Sequence, residues 1–172
     1  MTISVEATLG LGGNLGDVVG AFALALERLS ALPDTRVLRV SSVYRTAPWG
    51  ETNQPDFRNV AVLITTALSP RALLDAVLAI EAKARRVREA RWGPRTLDID
   101  VLTYGDARID DPDLQIPHPR MTERAFVLVP LAEIAPALCV SGEAVAQRAM
   151  RIKNEGVARD DQATERLKQR DE

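Results

Sequence analysis

Cysteine is almost missing from this chain: Cys139 is the only one, which excludes an internal disulfide framework and any cysteine-rich zinc site. Histidine is as scarce, with His118 alone, so a histidine-based metal cluster is excluded too. Aromatic residues make up only 4% of the sequence. No apolar run reaches the ~18 residues a membrane helix needs, so no membrane association is expected. Met1 to Gly10 lacks a basic segment followed by a hydrophobic run, so a signal peptide is not expected and the chain is placed in the cytoplasm. A surplus of positive charge is missing as well: the net charge is −2, and no overall basic field recruits nucleic acid. What is present is ordinary. The 172 residues, 46% hydrophobic and 27% charged, suit about one soluble globular domain.

The informative stretch runs from Arg91 to Asp100, Arg-Trp-Gly-Pro-Arg-Thr-Leu-Asp-Ile-Asp. Leu97, Ile99 and Val101 alternate with Asp98 and Asp100, so a strand here puts both carboxylates on one face. Asp is depleted in strands, and two like charges on one face repel unless a cation sits between them. A hard divalent ion such as Mg²⁺ prefers such oxygen ligands. Upstream lie Arg85, Arg86, Arg88, Arg91 and Arg95, and guanidinium forks match phosphate oxygens. Either half alone reads as a solvated face. Joined through the stiff Trp92-Gly93-Pro94 turn, they point to a nucleotide site.

In chain order, Ile3 to Leu11 reads as a strand, followed by a turn crowded with Gly10, Gly12, Gly13 and Gly16. Those glycines permit either a tight turn or a close backbone approach to a ligand. Their spacing fits neither the dinucleotide fingerprint nor a phosphate loop. Asn14 is the expected N-cap of a helix over 15–32, with Asp17 at its third position. Thr35 to Tyr44 is a second expected strand. Phe57 to Thr66 is a third, with Val60, Val62 and Ile64 on one side and Phe57, Asn59, Ala61 and Leu63 on the other. Ser69-Pro70 starts a helix expected to end near Ala84. The order β-α-β-β-α-β predicts an α+β, ferredoxin-like antiparallel sheet with two helices on one face. Short extended pieces follow at 107–109 and 114–116, then a Pro117-His118-Pro119 loop and an apolar stretch from Ala125 to Ala135 that packs back on the core. Residues 1–150 form the expected single domain. Residues 151–172, with six basic and six acidic side chains and no aromatics, are expected to be a solvated, flexible tail.

With these residues laid out, the chain resembles the 6-hydroxymethyl-7,8-dihydropterin pyrophosphokinase family from about Thr8 to Pro136. The resemblance rests on Arg91 to Leu102, Leu11 to Asp17, Tyr44-Arg45-Thr46 with Pro48 and Gly50, Gln54 to Phe57 with Asn59, and Pro117 to Pro119. It implies transfer of pyrophosphate from ATP to the pterin's hydroxymethyl group, with release of AMP, in folate biosynthesis. By the same resemblance Asp98 and Asp100 hold two Mg²⁺ ions, and together with Arg86 and Arg88 they make the catalytic set. Glu81, Arg86, Arg95, Val101, His118 and Arg124 contact ATP. Thr46, Ala47, Pro48, Trp49, Phe57, Asn59 and Phe126 bind the pterin, the two phenylalanines sandwiching its ring. On residue type alone those phenylalanines would be core. The sequence departs from the family at Gly13, where Ser is usual, at Phe57, where some members have Tyr, and at Pro119, where some have an aromatic. The enzyme is expected to act as a monomer.

Two other classes compete. An RNA-binding module shares the strand order, but it needs strand aromatics and positive charge, whereas here Asp98 and Asp100 would face the phosphates. A metal-dependent phosphohydrolase could use the same carboxylates on water, leaving Phe57, Asn59 and Phe126 idle.

Overall fold

The computed structural model describes residues 3–48, 53–87, 97–152 and 156–169; the side chains of 85–87 lie outside that description. The first half contains β1 (Val5–Gly13), α1 (Val18–Ser30), β2 (Thr35–Val40), β3 (Tyr44–Thr46), β4 (Phe57–Thr66), α2 (Pro70–Val87) and β5 (Asp98–Tyr104). β1 lies between β4 and β5, antiparallel to both, and β2 and β3 both pair antiparallel with β4. This is the expected ferredoxin-like α+β sheet. The second half adds β6 (Ile109–Asp111), β7 (Leu114–Ile116), α3 (Ala125–Ile134), β8 (Cys139–Val140), β9 (Glu143–Ala144), α4 (Val145–Arg151), β10 (Ala158–Arg159) and α5 (Asp161–Lys168).

Alternation divides the sheet into two unlike faces. Ala7, Leu9 and Leu11 of β1, Val60, Val62 and Ile64 of β4, and Ile99 and Val101 of β5 pack on one face against Phe22 and Leu29 of α1 and Leu73 and Val77 of α2. On the other face Ala61, Leu63 and Leu102 meet Leu128, Leu131 and Ile134 of α3 and Val145 of α4. The apolar stretch from Ala125 therefore closes a second, smaller core, and the sheet is covered on both sides.

Local chemistry adjusts three boundaries. Asp17, not Asn14, caps α1, its Oδ1 accepting the Gly20 N–H at 3.0 Å. Ser69 caps α2 as expected, taking the Ala72 N–H at 3.1 Å, but the helix continues past Ala84 to Val87 and so includes Arg86. The strand expected over 35–44 is broken in two. Ser41 still exchanges bonds with Ala61, but the Ser42 N–H goes to the Glu133 carboxylate at 2.9 Å instead of to the sheet.

The solvated tail expected from residue 151 is a correction. β10 pairs with β3, and α5 buries Ala163, Thr164 and Leu167 against the α1 side of the core. Asp160 caps that helix, accepting the Ala163 N–H at 3.0 Å. A helix with half its residues charged needs only one narrow apolar stripe to dock.

Candidate active site

Strand register assembles the site. Asn59 of β4, Gly12 of β1 and Asp98 of β5 are direct cross-strand partners, so they form one row on one face. The adjacent row is Ala61, Gly10 and Asp100. α3 covers this face from Ala61, Leu63 and Leu102 onward and leaves Gly10, Gly12, Asn59, Asp98 and Asp100 lining a cleft. Glycines in the middle strand give the cleft a floor without side chains. A Cβ on Gly12 would lie 2.6 Å from Asn59 Oδ1, so the Asn59 side chain rests where any other residue would intrude. The resulting cavity, of about 700 Å³, has Thr46, Ala47, Phe57 and Asn59 on one side, Asp98 and Asp100 on the other, and Arg124 and Phe126 among its remaining walls.

Each wall has its own chemistry. Thr46 is 4% exposed, and its Oγ1 is buried with no hydrogen-bond partner among the described residues. An unpaired buried hydroxyl is costly, and a ligand with a polar edge would satisfy it. Phe57 and Phe126 are only half-buried, unlike the core phenylalanine Phe22. On the opposite side Asp98 is half-buried and Asp100 exposed. Among the described residues no group of three or more His, Cys, Asp or Glu could hold a metal ion. Magnesium commonly binds through one or two carboxylates, completing its shell with water and substrate phosphates. The oxygen donors present therefore fit an Mg²⁺ ion shared with a bound triphosphate.

Of the residues singled out from sequence, Thr46, Ala47, Phe57, Asn59, Asp98, Asp100, Arg124 and Phe126 meet at this one cavity. His118 does not line it but stands half-buried beside it, its backbone N–H donating to Leu102 O at 2.8 Å and its Nδ1 accepting the Arg120 backbone N–H at 3.2 Å. Its pKa is pushed down, first by burial and then by Arg124 and Arg120, against an upward pull from Asp100. Glu81 is buried on the helix side of the sheet, where its Oε1 accepts the Ile99 N–H at 2.6 Å, between the two aspartates. Val101 is buried in the larger core, which leaves its backbone for any contact with ATP. Pro48 is half-buried outside the lining. Trp49, Arg88 and Arg95 lie outside the described residues, as does the Arg86 side chain.

Sequence reasoning left the glycines open between turn and ligand approach, and it named Gln54 in a family motif without giving it a role. Gly10 and Gly12 prove to be strand residues, and register, which no single sequence prints, is what makes them a floor. Asn14, expected as a cap, donates from Nδ2 to Gln54 Oε1 at 2.9 Å and to Pro55 O at 3.3 Å, tying the start of β4 to the end of β1. The signal available was the failure of Asn14 to precede the first periodic helical residue directly.

Fold and site together define a ferredoxin-like α+β protein with a carboxylate-bearing cleft on one sheet face. The chain belongs to the 7,8-dihydro-6-hydroxymethylpterin-pyrophosphokinase (HPPK) family, whose model matches residues 8–136. It is similar to the 2-amino-4-hydroxy-6-hydroxymethyldihydropteridine pyrophosphokinase of Methylorubrum extorquens, 52% identical over 154 residues, covering 90% of this chain and 98% of that one. The enzyme of the same name from Pseudomonas aeruginosa is 47% identical over 128 residues, covering 74% and 79%. Among solved structures, wild-type HPPK-DHPS of Plasmodium falciparum with pteroate superimposes with a TM-score of 0.73 at 14% identity over 92% of this chain, a likeness of fold. This chain covers 48% of that protein, about half its length.

Proposed function

We infer that this chain transfers pyrophosphate from ATP to 6-hydroxymethyl-7,8-dihydropterin, giving the pterin diphosphate and AMP, a step of folate biosynthesis. The observation that carries this reading is the row Asn59–Gly12–Asp98, which sets a hydrogen-bonding edge and a carboxylate at opposite ends of one open floor. A flat ring between Phe57 and Phe126 presents its polar edge to Asn59, Thr46 and the backbone at Ala47, Pro48 and Trp49. Its hydroxymethyl group then points along the floor toward Asp98 and Asp100.

The hydroxymethyl oxygen attacks the β-phosphorus of ATP. A new O–P bond forms, the bond from that phosphorus to the bridging α-phosphate oxygen breaks, and AMP leaves as the hydroxyl proton is lost to solvent. Such a transfer asks the protein mainly for positioning and charge neutralisation. Asp98 and Asp100 would hold magnesium, two ions in this reading, which neutralises triphosphate charge and orients the attacking oxygen. Arg86, Arg88, Arg95 and Arg124 grip phosphates, with His118, Glu81 and the Val101 backbone completing the nucleotide side. Glu81 also fixes β5 between its two aspartates through the Ile99 N–H.

The protein acts as a cytoplasmic monomer in this reading. Among the described residues no helix is long and apolar enough to cross a membrane. Product analysis tests the reaction. With ATP, magnesium and the hydroxymethyl pterin, AMP and the pterin diphosphate should appear in equal amounts. ADP with a pterin monophosphate would place the attack on the γ-phosphorus and refute the reading.

A further inference from the structure

We propose that Thr164 and Asp160, in the C-terminal segment beyond the family-matched residues, are positioning residues that set the pterin wall of the cavity by clamping β3. The proposal rests on the pterin reading of that wall.

β3 has only three residues, and its last, Thr46, carries the buried hydroxyl that has no partner among the described residues. A strand so short, one place in from the sheet edge, is poorly fixed by its own ladder. On one side it pairs with β4, Thr46 opposite Phe57 and Tyr44 opposite Asn59. On the other side β3 pairs with the C-terminal segment, while Glu133 of α3 holds Ser42 and the Tyr44 hydroxyl. Ala158 and Arg159 pair with Arg45 and Tyr44. Val43, fully buried just ahead of β3, donates its N–H to Thr164 Oγ1 at 2.9 Å and accepts the Asp160 N–H at 2.8 Å. Thr164 Oγ1 in turn donates to Asp160 O at 2.7 Å, so one hydroxyl closes the clamp.

Asp160 reaches the second pterin strand as well. Its Oδ2 accepts from Arg58 Nε at 3.1 Å, and Arg58 stands between Phe57 and Asn59 with its side chain on the opposite face of β4. The Asp160 side chain is 13% exposed, and its Oδ1 is committed to capping α5. The two strands that carry Thr46, Phe57 and Asn59 are thus joined behind the cavity by one short segment. None of its residues lines the cavity. Its influence on the substrate therefore passes through strand position alone, and small displacements of positioning groups are costly.

The experiment is a paired binding and kinetic measurement on the full chain. Thr164→Val removes the hydroxyl while keeping the shape, and it leaves the buried Val43 N–H without its acceptor. It should raise the pterin KM and dissociation constant by about tenfold while the ATP dissociation constant stays within about twofold. Thr164→Ser, which keeps the hydroxyl, should restore pterin binding. Asp160→Asn, which retains a capping oxygen but gives up the charge facing Arg58, should shift pterin affinity in the same direction by a smaller factor. A lower melting temperature with unchanged pterin affinity in Thr164→Val would make the segment merely structural and overturn the proposal. Equal weakening of pterin and ATP would overturn it too. Should the unaltered protein fail to bind the hydroxymethyl pterin, the pterin reading itself falls, an outcome distinct from binding that is indifferent to Thr164.

Discussion

The guanidinium of Arg124 lies over the ring of Phe126, 5.5 Å from its centroid. A residue assigned to ATP phosphates and one assigned to the pterin are therefore in direct contact, at the start of α3, where the two halves of the cavity meet. A cation over an aromatic face gains electrostatic energy from the ring and orders both groups.

Replacing Phe126 with leucine should separate packing from stacking. Leucine keeps apolar bulk at the mouth of α3 but loses the ring face, worth on the order of 1 kcal/mol for a stacked partner. Pterin affinity should fall several-fold in a calorimetric titration and ATP affinity less. An equal loss for both ligands would mean that Phe126 serves packing alone.

Gly12→Ala tests the floor. The added methyl carbon would sit 2.6 Å from Asn59 Oδ1, with Arg58 O at 3.7 Å behind it, so the asparagine must swing away. The pterin KM should rise by about tenfold, in keeping with loss of a positioned contact. Stability should change little, because Gly12 lies at the cavity and not in either core. Unchanged pterin kinetics would remove Asn59 from the recognition set.

Those two residues also show what the sequence makes legible. Alternation in β1, β4 and β5 determines which side chains share a face, so the carboxylate pair and the Phe57/Asn59 pair are legible in the sequence alone. Cross-strand register is not, and only register puts Gly12 between Asn59 and Asp98. The C-terminal helix escaped for another reason. Its buried residues, Ala163, Thr164 and Leu167, are few, and the charges around them dominate composition. A capping aspartate followed by apolar residues four apart was the available sign.

Leu167→Ala should accordingly cost about 2–5 kcal/mol of stability, the usual range for emptying a buried leucine site. Leu167 is only 5% exposed and packs in the same core as α1. Chemical denaturation measures this directly. A change near zero would return the segment to the solvated tail that its composition suggests.

Tyr44 supplies a pH dependence. Its hydroxyl donates to Glu133 Oε1 at 2.7 Å, and its pKa is pushed up to about 12 by burial first, then by the Glu133 bond and charge, with Arg159 pulling the other way. The folded state favours the protonated phenol, so this contribution is fully present below the unfolded value of 10.0 and lost as pH rises through about 12. Wild type should exceed Tyr44→Phe in stability below pH 10, and the gap should close between there and about pH 12. A gap independent of pH across that window would mean the phenol is not held by Glu133.

In the proposed reaction the carboxylate end and the pterin end of one cleft act together on ATP. AMP release from ATP and magnesium, followed with and without the hydroxymethyl pterin in wild type and in Asp98→Asn and Asp100→Asn, tests it most directly. Wild type should release AMP only when the pterin is present. Each variant should lose that release by about 10²-fold or more, as expected when charge stabilisation at a reacting phosphoryl group is removed, while keeping its circular dichroism and its pterin affinity. Pterin-independent AMP release by wild type, or near-normal turnover in both variants, would contradict the account.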